Sequence, residues 1–158
     1  MKVVGEFNYR HAREILERKN PNILKEVISI LNNSNNKLNL IKTGSQRNLS
    51  SQVQEWFVEK GWQKEQSAFS IESLKYDLIK EGIPIEIEIG HQRLVYADFF
   101  EFMADYSKRH IPLGVMIVTG DPNKFGHTWH NSLKSTSLKI TAIEETFLVP
   151  VLVIAVDP

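Results

Sequence analysis

Between Tyr76 and Gly90 the chain reads YDLIKEGIPIEIEIG, and from Ile85 onward apolar and acidic residues alternate. Ile83, Ile85, Ile87 and Ile89 fall on one side and Glu86 and Glu88 on the other, the two-residue period of a half-buried strand. A polar turn of Lys80, Glu81 and Gly82 precedes that strand, and Gly82 supplies the permissive backbone a tight turn requires. The pattern therefore predicts a hairpin over about residues 74–90. Upstream, Lys2 to Phe7 predicts a strand, and Asn8 is a cap for a helix from Tyr9 to about Lys19. Pro21 suits the first position of a second helix, whose Leu24, Val27, Ile28 and Leu31 form one apolar stripe. The run NNSNNKLN, residues 32–39, predicts a polar loop. A third helix follows from about Leu49 to Lys60, ended by Gly61, with Leu49, Val53, Trp56 and Phe57 on its apolar face. Gln52, Glu55 and Glu59 line its polar side.

Beyond the hairpin, Asp98 suits the first turn of a helix reaching Lys108. Its polar positions, Asp98, Glu101, Asp105 and Lys108, form one narrow stripe. Tyr96, Phe99, Phe100, Phe102, Met103 and Tyr106 cover the rest of the circumference, so the helix must be buried on more than one side. A sheet can cover one side; the other is covered within the monomer or by a second subunit. Leu113 to Thr119 predicts a buried strand, making a strand–helix–strand unit whose strands run parallel. Residues 120–141 predict a long excursion with a short helix at most, of the kind that is usually functional. Leu148 to Val156 predicts a final apolar strand. The expected class is α/β, a central mixed sheet flanked by helices in a single domain spanning residues 1–158.

Composition narrows this picture. A chain of 158 residues with 42% apolar and 24% charged residues excludes disordered and collagen-like classes. At this length folding buries about 70% of the unfolded surface, so no disulfide or metal staple is needed. The absence of cysteine removes thiol nucleophiles and thiolate zinc sites, and fits a reducing cytoplasm. No stretch approaches the ~20 apolar residues of a membrane span, which leads to the expectation of a soluble cytoplasmic protein. A formal net charge of zero argues against non-specific coating of DNA, which depends on neutralising phosphates.

The hairpin is also where the chemistry gathers. Folding it brings Asp77 across from the strand carrying Glu86 and Glu88, and three carboxylates in one place repel one another unless a divalent cation sits among them. Hard cations such as magnesium take oxygen ligands of this kind. The same stretch equally allows an amphipathic edge strand with solvated glutamates. Glu55 can face the cluster as an orienting group or stand in solvent. His127 and His130 lack the further ligands of a zinc site. No Walker loop, dinucleotide fingerprint or Gly-x-Ser-x-Gly elbow is present.

Glu86 lies nine positions after Asp77, with Glu88 two further on, and this order resembles the PD-(D/E)XK nucleases, with Glu where most of them carry Lys. The longer run IPIEIEIGHQRLVYADFFEFMADYSKRHIPLGVMIV is similar to the core of the BglII/BstYI family of type II restriction endonucleases, relatives of BamHI. Glu59 to Trp62 and the closing PVLVIAVDP share the likeness. The resemblance implies a PD-(D/E)XK core in a homodimer that cuts both strands of a short palindrome, centred on GATC in this family, leaving 5′-phosphates and 5′ overhangs. It implies magnesium, replaceable by manganese, held by Asp77, Glu86 and the backbone carbonyl of Ile87, with Asp77, Glu86 and Glu88 catalytic. His91 matches a base-reading position, and the helix at about 97–108, with Phe99, Phe100 and Met103, matches the dimer helix. The DNA-binding set expected around it is His91, Arg93, Lys124, His127, Thr128 and His130, the last four on a recognition loop at about 120–141. A repair or structure-specific nuclease with the same core, and a DNA-binding homologue without activity, remain as alternatives.

Overall fold

The computed structural model describes residues 1–40, 46–89, 95–126 and 130–158. Strand β1 (Lys2–Tyr9) leads to helices α1 (Ala12–Lys19), α2 (Pro21–Leu31) and α3 (Gln46–Val58), then to strands β2 (Gln63–Ser67), β3 (Lys75–Lys80) and β4 (Ile83–Glu88). Helix α4 (Val95–Ser107), strand β5 (Gly114–Thr119), helix α5 (Leu133–Ala142) and strand β6 (Val151–Asp157) complete the order. The six strands form one mixed sheet in the order β1-β6-β5-β4-β3-β2. β4, β5 and β6 run parallel at its centre, and the outer pairings are antiparallel.

Each face of the sheet has its own core. Leu16, Leu24, Val27, Val53 and Phe57 of the first three helices pack on Ile83, Ile85, Ile87, Ile117 and Ile154. On the opposite face Phe99 and Phe102 of α4 and Ile140 of α5 pack on Met116, Val118, Val151 and Val153. The continuous apolar runs of β5 and β6 follow from this, because a central parallel strand is covered on both sides. Gly114 opens β5 where Phe102 crosses it; a Cβ there would lie 2.7 Å from the Phe102 ring.

The hairpin forms as the pattern predicts. Glu81 and Gly82 both have positive φ, 51° and 75°, the geometry of the two-residue turn that matches strand twist. Several boundaries differ from expectation. β1 runs on through Tyr9, and Arg10 and His11 turn through left-handed conformations before α1 starts at Ala12. The cap position falls to His11 instead of Asn8, with no side-chain cap bond, while Asn8 Oδ1 accepts from Arg13 N at 2.9 Å across the turn. β2, with the polar sequence QKEQS, is an exposed edge strand whose composition carries no apolar alternation. Within the excursion at 120–141 the described residues include a short 3-10 turn (Pro122–Phe125) and most of α5. Ser132 and Ser135 cap α5 reciprocally, and only Thr136 and Ile140 of the helix are buried. The last strand begins at Val151, after the Pro150 that cannot donate to a ladder.

Asp105 fastens the segment before β3 to α4. It is fully buried, and accepts from Tyr76 Oη at 2.7 Å, Phe69 N at 2.9 Å and Ser70 N at 2.6 Å. Burial opposes its charge, but these donors hold the carboxyl below its ordinary range. Replacing Asp105 by Ala leaves all three donors without their acceptor, an expected loss of about 3 kcal/mol. Urea unfolding of the variant checks this; an unchanged midpoint would show that the fastening contributes nothing.

Candidate active site

The β3–β4 ladder pairs Lys80 with Ile83, Ile79 with Pro84 and Leu78 with Ile85, and then stops. One step further the strands part, and the Asp77 side chain enters the gap. Its Oδ2 accepts from Ile87 N at 2.8 Å, taking the place of a backbone acceptor. Its Oδ1 accepts from Gln54 Nε2 at 2.6 Å. Glu86 lies opposite, with Asp77 N reaching its Oε2 at a long 3.5 Å. The hairpin thus brings Asp77, Glu86 and Glu88 together, and it does so inside the protein: Glu86 is only 4% exposed.

The acids of α4 join them. Asp98 and Glu101, which lie on the helix's polar stripe, are buried against this face of β4, while Tyr96 and Phe100 are left 55% and 59% exposed. Asp98, Glu101 and Asp105 share one helix face by their spacing, and that face meets the sheet where Glu86 and Glu88 project. Buried oxygens of four of these acids, Glu86 Oε1, Glu88 Oε2, Asp98 Oδ2 and Glu101 Oε1, have no hydrogen-bond donor. Phe99, expected at a subunit contact, is instead 2% exposed within the core.

Charge in such a place is costly. Desolvation pushes Asp77 up to about 6, although the Ile87 N–H and Gln54 amide pull against it. Desolvation, then repulsion from Asp77, takes Glu88 to about 8. Desolvation and Asp105 take Glu101 to about 7. Glu86 and Asp98 are pushed well above the carboxylate range, chiefly by burial and then by the neighbouring acids. Without a cation the site must hold protons.

Helix α3 supplies two groups that the sequence reading did not name. Gln54, 3% exposed, holds Asp77, and Ser50 Oγ donates to the Ile87 carbonyl at 2.8 Å. They lie four residues apart on one helix face, beside the apolar arc of Val53 and Phe57. That spacing was the available signal, but neutral side chains next to an apolar arc carry little chemical mark. Of the two readings of Glu55 the solvated one holds: it is exposed and pairs with Lys64 at 2.7 Å, whereas its neighbour Gln54 reaches the acids. His130 is corrected too; it is 1% exposed, near the Phe125 ring, rather than on a DNA-facing surface. Lys124 is exposed and pairs with Asp157 at 2.5 Å. His91, Arg93, His127 and Thr128 lie outside the described residues.

Among the described residues no three acids or histidines already converge on one metal position. The donor set nevertheless fits a small hard cation. Magnesium is commonly held by one or two carboxylates with water and phosphate completing its shell, rather than by an all-protein cage. Asp77 and Glu86 offer two carboxylates, the Ile87 carbonyl a third oxygen, and Glu86 Oε1 has no other donor to satisfy it.

Comparison with known proteins bears on the family and the fold. The family model described as restriction endonuclease BglII/BglIII matches residues 4–156. In structure the chain is similar to the crystal structure of restriction endonuclease BglII complexed with a DNA 16-mer, with a TM-score of 0.71 and 17% identity. That match covers 98% of this chain and 76% of the other, and at this identity it shows the fold: a mixed six-stranded sheet flanked by helices. No curated protein matches the chain. The match to the family model spans nearly every element described above, and on that ground the chain belongs to the BglII/BglIII family of restriction endonucleases, type II site-specific deoxyribonucleases.

Proposed function

We propose that this restriction endonuclease hydrolyses both strands of a short palindromic DNA site, centred on GATC, at the cluster of Asp77, Glu86 and Glu88. The observation that carries the reading is the parted hairpin, which sets Asp77 against Glu86 in a buried pocket of acids with donorless oxygens. The family is generally dependent on a divalent metal, and the ion proposed here is Mg²⁺, with Mn²⁺ able to replace it. Asp77, Glu86 and the Ile87 carbonyl would hold it. When bound, such an ion supplies positive charge at the reacting phosphate and makes water a stronger acid.

The chain's own groups do the rest. Glu88, at the open end of β4, orients the attacking water and accepts its proton. Gln54 and the Ile87 N–H fix the Asp77 carboxylate, and Ser50 fixes the Ile87 carbonyl, so the oxygens keep their positions as charge moves. Attack in line on phosphorus leaves a 5′-phosphate, and staggered cuts leave 5′ overhangs. His91, Arg93, Lys124, His127 and Thr128 are the proposed DNA contacts; His130, being buried, supports that loop from within.

Two such sites, one for each strand, imply a homodimer. Its proposed face is the outer side of α4, where Tyr96 and Phe100 are exposed and Met103 is half-buried. Phe100→Asp should leave the fold intact and shift the protein to monomer in sedimentation equilibrium; a persistent dimer would place the interface elsewhere. No helix among the described residues is long and apolar enough to cross a membrane, and the cytoplasm is the proposed location.

Digestion of phage DNA with Mg²⁺ and with EDTA, followed by end-sequencing, tests the proposal directly. Discrete metal-dependent fragments with 5′ overhangs at one palindrome are expected. A smear would point to a nuclease without sequence preference, and intact DNA under Mg²⁺ and Mn²⁺ alike would refute cleavage at this site.

A further inference from the structure

Strand β3 changes face at Asp77. Leu78 packs with the core of the first three helices, whereas Tyr76, two residues back, packs with the core under α4. The Tyr76 ring stacks 5.9 Å from that of Phe102, and its hydroxyl donates to Asp105. An unbroken strand would send Tyr76 and Leu78 to one face. The ladders are interrupted at the same place. β2 pairs Lys64 with Leu78 and Gln66 with Tyr76, passing over Glu65 and Asp77. Pairing with β4 ends at Leu78, so Asp77 alone in β3 has no ladder partner among the described residues.

Glu65 stands opposite that break, and its backbone is left-handed, with φ 54°. The other non-glycine residues of positive φ among those described, Arg10, His11, Glu81 and Arg109, lie in turns. Glu65 alone is inside a strand, where any residue but Gly is strained in this conformation. Two bonds brace it. The Gln66 side-chain amide donates to the Lys64 carbonyl at 3.0 Å, bridging the kink, and Lys64 Nζ grips Glu55 of α3 at 2.7 Å. β2 changes face as β3 does. Trp62, just before it, joins the core of the first three helices, and Ala68, just after it, joins the core under α4.

We propose that Glu65 is a positioning residue that acts through its backbone, opening β2 opposite Asp77 so that the Asp77 carboxylate turns into the gap toward β4. The inference rests on the reading of Asp77 as a catalytic acid. A Glu65 in extended conformation would pair with Asp77 and hold it to regular alternation, its side chain standing off one face of the sheet. With that pairing absent, the carboxylate takes a place in the ladder itself, accepting from Ile87 N at 2.8 Å. There it meets Gln54 and lies opposite Glu86. Irregularities beside active sites re-aim side chains in this way, and their strain persists because the surrounding structure enforces it. The Glu65 side chain is exposed, and the site uses its conformation rather than its charge.

Glu65→Gly, Glu65→Gln and Glu65→Val separate backbone from side chain. Each is compared with the parent in single-turnover cleavage of a duplex carrying the site mapped by digestion. Mn²⁺ binding by electron paramagnetic resonance, duplex binding in EDTA and melting temperature are measured beside it. Glycine adopts a left-handed backbone freely, and glutamine differs from glutamate only in charge, so both should keep the parent's rate and Mn²⁺ affinity. Glu65→Gly should not lower the melting temperature. Valine, β-branched, resists this conformation and favours the extended one. Glu65→Val should lose about 10–100-fold in both rate and Mn²⁺ affinity, the range for disturbing a group that orients a metal ligand, while duplex binding in EDTA holds. Glu65→Thr serves if the Val variant does not fold. A loss below about tenfold in either quantity for Glu65→Val overturns the inference. So does an equal loss in Glu65→Gly or Glu65→Gln, which would put the carboxylate itself to work, or a matching loss of duplex binding in EDTA. Asp77→Ala separates the two claims: if it is inactive while Glu65→Val cuts normally, only the role of Glu65 falls. If Asp77→Ala cuts normally, or the parent cuts nothing, the site itself falls and the inference with it.

Discussion

Glu86→Gln lowers the single-turnover cleavage rate by at least about 10³-fold, equivalent to roughly 4 kcal/mol of barrier, and raises the melting temperature of the metal-free protein. Both results come from the same carboxylate. Glu86 is buried beside Asp77, Glu88, Asp98 and Glu101, and its Oε1 has no hydrogen-bond donor. A neutral amide cannot supply the charge a divalent ion requires, so activity goes. The same substitution removes one member of a self-repelling group and gives the neighbouring acids an N–H donor, so the folded state gains.

Asp77→Ala should be equally inactive but should lose stability, because Ile87 N and Gln54 Nε2 would both lose the oxygen they now donate to. An unmet buried donor costs about 1–3 kcal/mol. The pair of variants therefore separates the roles: one acid is held by the fold, the other is tolerated by it. Parent-like cleavage by either variant, or a lower melting temperature for Glu86→Gln, would contradict the assignment.

The second large effect is an inverted dependence of stability on pH in EDTA. In the unfolded chain these carboxyl groups ionise near their ordinary values. In the folded chain Asp77 is raised to about 6, Glu101 to about 7 and Glu88 to about 8. Between the two sets of values the folded state keeps protons that the unfolded state has released, so every rise in pH favours unfolding. Stability is fullest below the unfolded values and is lost as pH climbs through about 8. Acids with lowered values, Asp105, Glu26 and Asp157, add stability that is already complete once pH exceeds the ordinary carboxylate range. They do not offset the trend in this window.

Each unit of upward shift is worth about 1.4 kcal/mol. A combined loss of about 3 kcal/mol or more between pH 5.5 and 8.5 lowers the melting temperature by roughly 6–12 °C for a chain of this size. Mg²⁺ or Mn²⁺ at pH 8 should restore it, since binding to the folded state alone is stabilising. Thermal melts across that range, with and without the ion, decide the matter. A melting temperature that rises with pH in EDTA would show that the acids are not packed as described.

The catalytic hairpin was readable because its determinants are local. Alternation sets the face of Glu86 and Glu88, and Glu81–Gly82 sets the turn that returns Asp77 to them. The second tier of acids was not readable in the same way. Asp98, Glu101 and Asp105 on one helix face look identical whether that face meets water or other acids, and water is the cheaper surrounding for charge. Only the packing of Phe99 and Phe102 around them turns the face inward. Gln54 and Ser50 carry no charge to draw notice, and α5 buries too few apolar residues to mark itself as a helix. What sequence periodicity cannot report is which face meets which.

The close approach at Gly114 has a mechanical consequence. With hydrogen as its only side chain, β5 lets the Phe102 ring rest directly on the strand, and Phe102 is part of the same rigid helix that carries Asp98 and Glu101. Clearance, rather than polarity, therefore sets how far α4 stands from the sheet. A single methyl group at position 114 would act as a shim under the helix, lifting Asp98 and Glu101 away from Glu86 and Glu88 and tilting the outward ring of Phe100 with them.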